Sequence, residues 1–349
     1  MKLANKVNRE VLKERILHSK EPRNTVSFYN YYLFKNPEFI RDYLYIEFEK
    51  LGVLGRIYIA SEGINAQASV PQSKWEDFVA FMESVDYLRG LRLNTAVEND
   101  DKSFFKLIVR LKKKIVADGL NDETFDVTDK GTHLSAEAFN ELTDNPDTVL
   151  VDMRNHYETE VGHFDGAWCP DVDTFREQLP VVVNTLKDNK DRPVVMYCTG
   201  GIRCEKASAW LKHNGFKNVY QLEGGIIKYA RDVKAGGLRN KFRGKNFVFD
   251  ERLGERISDE IIAHCHQCGK PADTHTNCRN VACNLLFIQC EECAEKMEGT
   301  CSTDCQDIIH LPEEVQKEMR KKHDAGIRIF SKGRVEDRIR IDNRSEVEA

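Results

Sequence analysis

Hydrophobic and polar positions in the first third of the chain predict one α/β unit. Runs rich in β-branched and aromatic residues are typical of strands, and apolar residues three or four positions apart are typical of amphipathic helices. The predicted order is strand, helix, strand, strand, helix, strand, over residues 25–34, 37–52, 55–70 (two strands about a Ser-Glu-Gly turn), 73–85 and 104–116. This order predicts a split βαβ domain of the ferredoxin and acylphosphatase-like type, which we place at residues 1–122.

A second pattern follows a polar linker, and here short apolar runs alternate with helical periods. The predicted helices lie at residues 135–144, 174–187 and 204–215, and the predicted strands at 148–154, 193–198 and 219–225. Such alternation indicates a parallel sheet covered by helices on both faces. We place this α/β domain at residues 133–232, and a third region with a basic segment, many cysteines and a charged tail at 233–349.

Composition narrows the class of protein. The chain has 349 residues, of which 41% are hydrophobic and 31% charged, so neither a membrane protein nor a disordered chain is expected. The polar N-terminus has no apolar segment of signal-peptide length, and no run of about 18 apolar residues occurs. We therefore expect a cytoplasmic protein with no membrane partner, in which the eleven cysteines serve metal binding or catalysis before disulfides.

The sequence "MYCTGGIRCEKA", residues 196–207, places a cysteine where chemistry is expected. Cys198 ends an apolar strand, two glycines allow backbone N–H groups to converge, and a helix begins near Arg203. The helix N-terminus and the guanidinium favour a thiolate, so Cys198 and Arg203 are the predicted catalytic residues. The predicted active loop consists of Thr199, Gly200, Gly201, Ile202 and Cys204.

Alternatives remain for this loop. A cysteine phosphatase places one more residue between its cysteine and arginine than the four found here, so the smaller ring favours a sulfur- or oxygen-sized group. Cys204 either caps the loop or acts as a resolving thiol. Cys169 is expected to be a packing residue.

Two stretches, "VDMRNHYETEVGHFDGAW" and "CTGGIRC", resemble a rhodanese domain across residues 133–232. The resemblance implies that Cys198 occupies the position of the persulfide-forming cysteine. It also implies that residues matching the family signature shape the domain around it: Asp152, Arg154, Glu158, His163 and Ala167.

The wider arrangement, with "GRIYIASEGINAQ" in the first unit and a cysteine-rich C-terminal region, resembles the bacterial tRNA uridine hydroxylase family. That resemblance implies an oxidoreductase that uses molecular oxygen to convert the wobble uridine of tRNA to 5-hydroxyuridine. The residues themselves leave two routes open, in which a thiolate adds to the base or an oxidised or persulfidated Cys198 delivers the oxygen. A sulfurtransferase and a non-catalytic tRNA-binding scaffold remain the alternatives.

The sequence contains no fingerprint for other redox cofactors. "LEGGI" lacks the GxGxxG form, so no flavin or nicotinamide site is expected, and no histidine and carboxylate set compels a non-haem iron site.

Eight cysteines are concentrated in the third region. They form four pairs along the chain: Cys265 and Cys268, Cys278 and Cys283, Cys290 and Cys293, Cys301 and Cys305. Eight thiols at this spacing predict two tetrahedral structural zinc sites, and the alternating pairs favour a cross-braced order in which pairs one and three share one metal. An iron–sulfur cluster would use the same ligands, and His264, His266, His275 or His310 could replace a cysteine.

A basic segment precedes the cysteines. The net charge of −5 argues against a general nucleic-acid binder, but residues 231–249 contain six cations and one acid, together with three phenylalanines. The predicted tRNA contacts are Arg239, Lys241, Arg243 and Lys245, and the tail from Arg320 to Arg344 is basic as well. We expect the first domain to position the substrate.

Overall fold

The computed structural model describes residues 5, 7–98, 102–121 and 124–322. Its first part contains a five-stranded sheet of order β4-β1-β3-β2-β5. The elements are α1 (Arg9–His18), β1 (Arg23–Tyr31), α2 (Pro37–Lys50), β2 (Leu54–Ala60), β3 (Gly63–Pro71), α3 (Trp75–Ser84), β4 (Asn94–Thr95) and β5 (Leu107–Leu111). The predicted mixed α/β architecture is confirmed, and α1 and β4 are additions to it.

The last predicted strand of this part is shorter than expected. Residues 104–116 were predicted as one strand, whereas β5 covers only five residues and runs parallel to β2 at the sheet edge. Lys114 lies beyond it and turns its ammonium to Asp118, at 2.7 Å, instead of continuing the strand. The two-residue β4 occupies the opposite edge, beside β1.

Alternation along β1, β2 and β3 gives this sheet two unlike faces. One face is apolar and packs on α2 and α3, with Phe28, Ile57 and Ile64 against Phe48 and Phe78. The other face carries polar and aromatic side chains, and neither α2 nor α3 packs on it: Ser27, Tyr29, Arg56, Tyr58, Asn65 and Gln67. This helix-free face turns toward the second part of the protein.

The second part has a four-stranded parallel sheet of order β6-β10-β9-β7. Its elements are β6 (Thr132–Leu134), α4 (Ala136–Asp144), β7 (Val149–Asp152), α5 (His156–Thr159), β8 (Gly162–Phe164), α6 (Phe175–Thr185), β9 (Val194–Tyr197), α7 (Ile202–His213), β10 (Val219–Leu222) and α8 (Gly225–Gly236). Val194 and Met196 lie in one core, and Val195 and Tyr197 in the other. The prediction of a parallel sheet covered on both faces is therefore confirmed.

The third part is joined to the second by strand pairing. Its elements are β11 (Phe242–Asn246), β12 (Glu255–Arg256), β13 (His275–Asn277), β14 (Leu286–Ile288), α9 (Glu291–Lys296), α10 (Thr303–His310) and α11 (Glu313–Lys322). Strand β11 runs antiparallel to β8, with Arg243 opposite His163 and Gly244 opposite Gly162. The basic segment predicted as a surface thus contains a strand of a three-stranded sheet.

Some predictions have no outcome in this structure. Most of the predicted basic tail lies outside the described residues, which end at residue 322. The three domain boundaries stay predictions. Among the helices of the described ranges, none combines the length and the apolar character needed to cross a membrane.

Candidate active site

Cys198 lies at the carboxyl end of β9 and begins the loop that leads into α7. Its side chain is 1% exposed, and the backbone N–H of Gly201 donates to its Sγ at 3.2 Å. Gly201 adopts a φ of +103°, and a Cβ at that position would lie 2.9 Å from the hydroxyl of Tyr29. A glycine is therefore required both by the backbone conformation and by the close approach of the first sheet.

The loop stabilises Cys198 as a thiolate. Burial alone raises the pKa of a thiol, but a hydrogen bond from Cys204, the charge of Arg203 and two backbone N–H groups lower the pKa of Cys198 to about 6. Burial and the neighbouring Cys198 sulfur raise the pKa of the Cys204 thiol well above its ordinary value. Cys204 therefore remains protonated, and its S–H donates a hydrogen bond to the sulfur of Cys198.

This difference in acidity predicts a pH profile. Only the thiolate reacts with iodoacetamide, so the alkylation rate of Cys198 should rise with pH, reach half its maximum near pH 6 and level off above about pH 7. Cys169 provides an internal control, because burial raises its pKa to about 12 and its alkylation should stay slow across that range. Peptide mass spectrometry after timed labelling measures both rates. A midpoint for Cys198 near pH 9 would contradict the thiolate assignment.

Arg203 is held by a carboxylate. Its Nη1 and Nη2 donate to Oε1 and Oε2 of Glu158 at 2.8 and 2.7 Å, and the Glu158 side chain is fully buried. Glu158 also accepts a hydrogen bond from the backbone N–H of Asn155, which caps α5. The guanidinium carbon lies 5.8 Å from the ring centre of Phe249. Arg203 thus acts on Cys198 through its charge and is fixed in place by Glu158; its catalytic role stays a prediction.

The other residues of the predicted loop differ in the contacts that they make. Thr199 lines the cavity described below, and its Oγ1 is buried without a hydrogen-bond partner among the described residues. The carbonyl of Gly200 accepts from Asn94 Nδ2 at 3.4 Å, and that of Ile202 accepts from the Tyr31 hydroxyl at 3.3 Å. The first sheet therefore holds the active loop from outside.

Of the predicted shell residues, Asp152, Arg154 and Glu158 are fully buried, whereas His163 is only half-buried. Arg154 Nη2 donates to Asp152 Oδ2 at 2.7 Å and to the carbonyl of Gly162 at 2.6 Å, which ties the end of β7 to β8. Glu158 pairs with Arg203 as described. His163 is half-buried and lines a separate surface cleft together with Cys169. The functional roles of these residues stay predictions.

A cavity of about 770 Å³ opens in front of Cys198. Its walls come from all three parts of the fold: the helix-free face of the first sheet, the active loop, and a segment of the third part that includes Phe249 and Arg252. Arg56 joins two of these walls by donating to the carbonyl of Phe249 at 3.1 Å. Sequence reasoning missed Tyr29, Tyr58, Asn65 and Gln67. For Tyr58, Asn65 and Gln67 the signal was the set of polar positions that alternate with buried ones in "GRIYIASEGINAQ".

The four predicted tRNA-binding cations are not among the residues that line this cavity. Lys241 is 8% exposed, and its ammonium pairs with Asp144 at 2.6 Å. Lys245 pairs with Asp273 and Arg243 with Glu260, both at 2.8 Å. Arg239 is exposed. Binding of tRNA by these residues stays a prediction.

The eight cysteines of the third part form two groups of four. Cys265, Cys268, Cys290 and Cys293 make one group, and Cys278, Cys283, Cys301 and Cys305 the other, with all sulfurs of a group within 4.8 Å of one another. The grouping is the cross-braced order predicted from the spacing. Neighbouring sulfurs lie 3.6 to 3.8 Å apart, which matches the edge of about 3.8 Å of a tetrahedron with metal–sulfur bonds of about 2.3 Å. Each group could hold one metal ion.

Comparison with protein families assigns all three parts. A model described as "UPF0176 acylphosphatase like domain" matches residues 23–115, a rhodanese-like domain model matches residues 135–232, and a model described as "Rhodanase C-terminal" matches residues 243–306. The resemblance of the second part to a rhodanese domain is thereby confirmed.

Curated relatives match nearly the whole chain. The tRNA uridine(34) hydroxylase of Yersinia pestis (strain Pestoides F) is 56% identical over 333 residues, which cover 95% of this chain and 94% of the relative. The tRNA uridine(34) hydroxylase of Yersinia enterocolitica is 55% identical over 333 residues, which cover 95% of this chain and 95% of the relative. A solved rhodanese-like domain from Anabaena sp. is 22% identical, covers 32% of this chain and 78% of its own, and has a TM-score of 0.26.

Proposed function

Because this chain belongs to the tRNA uridine(34) hydroxylase family, we propose that it hydroxylates uridine 34 of tRNA at carbon 5, in the cavity that Cys198 lines. The match over 95% of the chain carries this proposal, since it includes the first sheet, the active loop and the cysteine groups together. It favours hydroxylation over sulfur transfer and over a non-catalytic scaffold.

The chemistry of uracil gives Cys198 its role. Carbon 5 becomes nucleophilic when a thiolate adds to carbon 6, and the lowered pKa of Cys198 supports this route because the thiolate predominates at neutral pH. After oxygen has joined carbon 5, loss of the carbon 5 proton and of the Cys198 sulfur restores the ring. With molecular oxygen as co-substrate, one oxygen atom enters the base and the other leaves as water, and an external donor supplies two electrons and two protons.

The anticodon suits such a site. Position 34 lies in a single-stranded loop, so its base can leave the stack without breaking a pair within the tRNA. The cavity is bordered by the aromatic rings of Tyr58 and Phe249, which are suited to contact a planar base.

We further propose that both cysteine groups bind zinc. Sets of four thiolates at these sulfur separations are typical of structural zinc sites, and a site with four protein ligands leaves no position for substrate. The zinc ions would fix the fold of the third part, and the hydroxylation itself is assigned to the Cys198 cavity.

Mass spectrometry of tRNA nucleosides tests the proposed function. Cells that lack this protein should lose 5-hydroxyuridine and the nucleosides derived from it, and expression of the wild-type chain should restore them. Failure of the wild-type chain to restore them, combined with thiocyanate formation by the purified protein, would instead assign it as a sulfurtransferase.

A further inference from the structure

Two amide side chains of the first sheet face the cavity in front of Cys198. Asn65 and Gln67 lie two residues apart on β3, so both project from the helix-free face. Asn65 is paired with Tyr29 on β1 and Tyr58 on β2, and Gln67 with Ser27 and Arg56. All six side chains line the cavity. The amides therefore lie at the middle of this wall.

Hydrogen bonds fix which way the two amides point. Asn65 Nδ2 donates to the carbonyl of Ile115 at 3.1 Å, and a carbonyl can only accept, so the Asn65 oxygen must point the other way. That oxygen accepts from Gln67 Nε2 at 2.8 Å. A backbone carbonyl thus sets the orientation of Asn65, Asn65 sets that of Gln67, and among the described residues the oxygen of Gln67 remains as an acceptor without a hydrogen bond.

Gln67 also lies close to the active loop. Its strand neighbour Ser27 approaches the loop, since a Cβ at Gly200 would lie 3.8 Å from Ser27 Oγ. Adjacent strands are about 4.8 Å apart, so Gln67 is one strand spacing from the residue that contacts the loop. A base that enters the cavity in front of Cys198 therefore meets a wall that contains Gln67.

We propose that Gln67 Oε1 accepts a hydrogen bond from N3–H of the target uracil and so selects uracil over cytosine, with Asn65 as the positioning residue. This inference rests on the proposed function, since it concerns the base that the cavity receives. N3 of uracil carries a hydrogen and can donate to the Gln67 oxygen. N3 of cytosine is an acceptor, so its lone pair would repel the lone pairs of that oxygen. A buried acceptor left without its donor disfavours the wrong base.

Binding of short RNAs tests this assignment without requiring turnover. Three anticodon stem-loop RNAs differ only at position 34, which is uridine, 3-methyluridine or cytidine, and fluorescence anisotropy gives their dissociation constants. The wild-type protein should bind the uridine RNA roughly tenfold to a hundredfold more tightly than the other two. Equal binding of the three RNAs by the wild-type protein would overturn the inference, whatever the variants do.

Variants distinguish recognition of the uracil N3–H by Gln67 from a preference that arises only from the size of the cavity. Gln67→Ala should bind all three RNAs alike, at the level of the weaker wild-type complexes. Asn65→Leu should lose most of the preference, whereas Asn65→Asp should keep more of it than Asn65→Leu, because a carboxylate still accepts from Gln67 Nε2 although it cannot donate to the carbonyl of Ile115. Gln72→Ala is the matched control, since Gln72 directly follows β3 and makes a similar bond to Asn24 of β1, at 3.4 Å, outside the cavity. A Gln67→Ala protein that still prefers uridine over 3-methyluridine would also overturn the inference.

The two proposals can fail independently. Loss of the uridine preference, with tRNA hydroxylation still restored in cells by the wild-type chain, would reject Gln67 as the reader and leave the proposed function standing. A wild-type chain that prefers uridine RNA but restores no 5-hydroxyuridine would reject the proposed function alone.

Discussion

Replacing Cys198 by alanine is expected to abolish 5-hydroxyuridine in the tRNA of cells that have no other copy of this protein. The thiolate forms the bond to the base in the proposed route, and no other group of the described loop can replace it: Cys204 is held protonated, and Thr199 carries only a neutral hydroxyl. Loss of a nucleophile lowers turnover by at least about a thousandfold. Quantification of the nucleoside by mass spectrometry measures the effect.

The control for this experiment lies in the same part of the fold. Cys169→Ala removes a half-buried thiol from a different cleft and should leave the nucleoside at the wild-type level. Circular dichroism of the purified Cys198→Ala protein should match that of the wild type, since the change only shortens one buried side chain. Retention of 5-hydroxyuridine by Cys198→Ala would remove the thiolate from the mechanism.

The second large effect concerns the metal sites. The purified protein should contain about two zinc ions per chain, and Cys301→Ser should lower the content to about one and unfold the region around the second cysteine group. Zinc contributes about 10 to 16 kcal/mol to the folding of small cysteine-rich domains. Here the buried core around that group consists of Leu285 and Phe287 together with the cysteines themselves, so little remains without the metal.

Metal analysis and limited proteolysis measure this second effect. The Cys169→Ser protein should keep both metals and resist cleavage like the wild type. Visible absorbance together with iron in the purified protein would show that the cysteines hold an iron–sulfur cluster instead of zinc. A metal-free protein that remains folded through residue 305 would contradict metal binding altogether.

The first cysteine group connects metal binding to the active site. Cys265, Leu286 and Ile288 share a core with Tyr157 and Val161, which flank the buried Glu158. Glu158 in turn holds Arg203 beside Cys198. Loss of the first metal is therefore expected to loosen the support of the catalytic loop as well as the third part.

The sequence was informative where one local signal determines the outcome. Apolar runs predicted the strands that end at Tyr197 and Asp152, because a buried parallel strand has few polar positions. The spacing of the eight cysteines predicted both groups and their cross-braced order. A short loop with two glycines predicted a stabilised thiolate at Cys198, which agrees with its lowered pKa.

Other features depend on contacts between distant segments, and no local signal encodes them. Lys241 was predicted to be a surface cation, but its side chain is buried and its ammonium binds Asp144 and the carbonyl of Asn140. The alternation in β3 distinguishes two faces of a strand, but only the tertiary fold places Gln67 opposite the active loop. The ion pair between Arg203 and Glu158 could not be predicted for the same reason, since the two residues lie 45 positions apart in the chain.

The order of the parts along the chain has a consequence for translation. The sheet that carries Tyr29 and Gln67 leaves the ribosome well before the cysteine loop, and N-terminal domains generally fold first during synthesis. The nascent loop can therefore dock on a finished surface once α8 has followed, because backbone N–H groups of α8 donate to the carbonyls of Cys198 and Thr199. A chain truncated at its start would lack this surface, and its Cys198 sulfur is expected to be more accessible to oxidants.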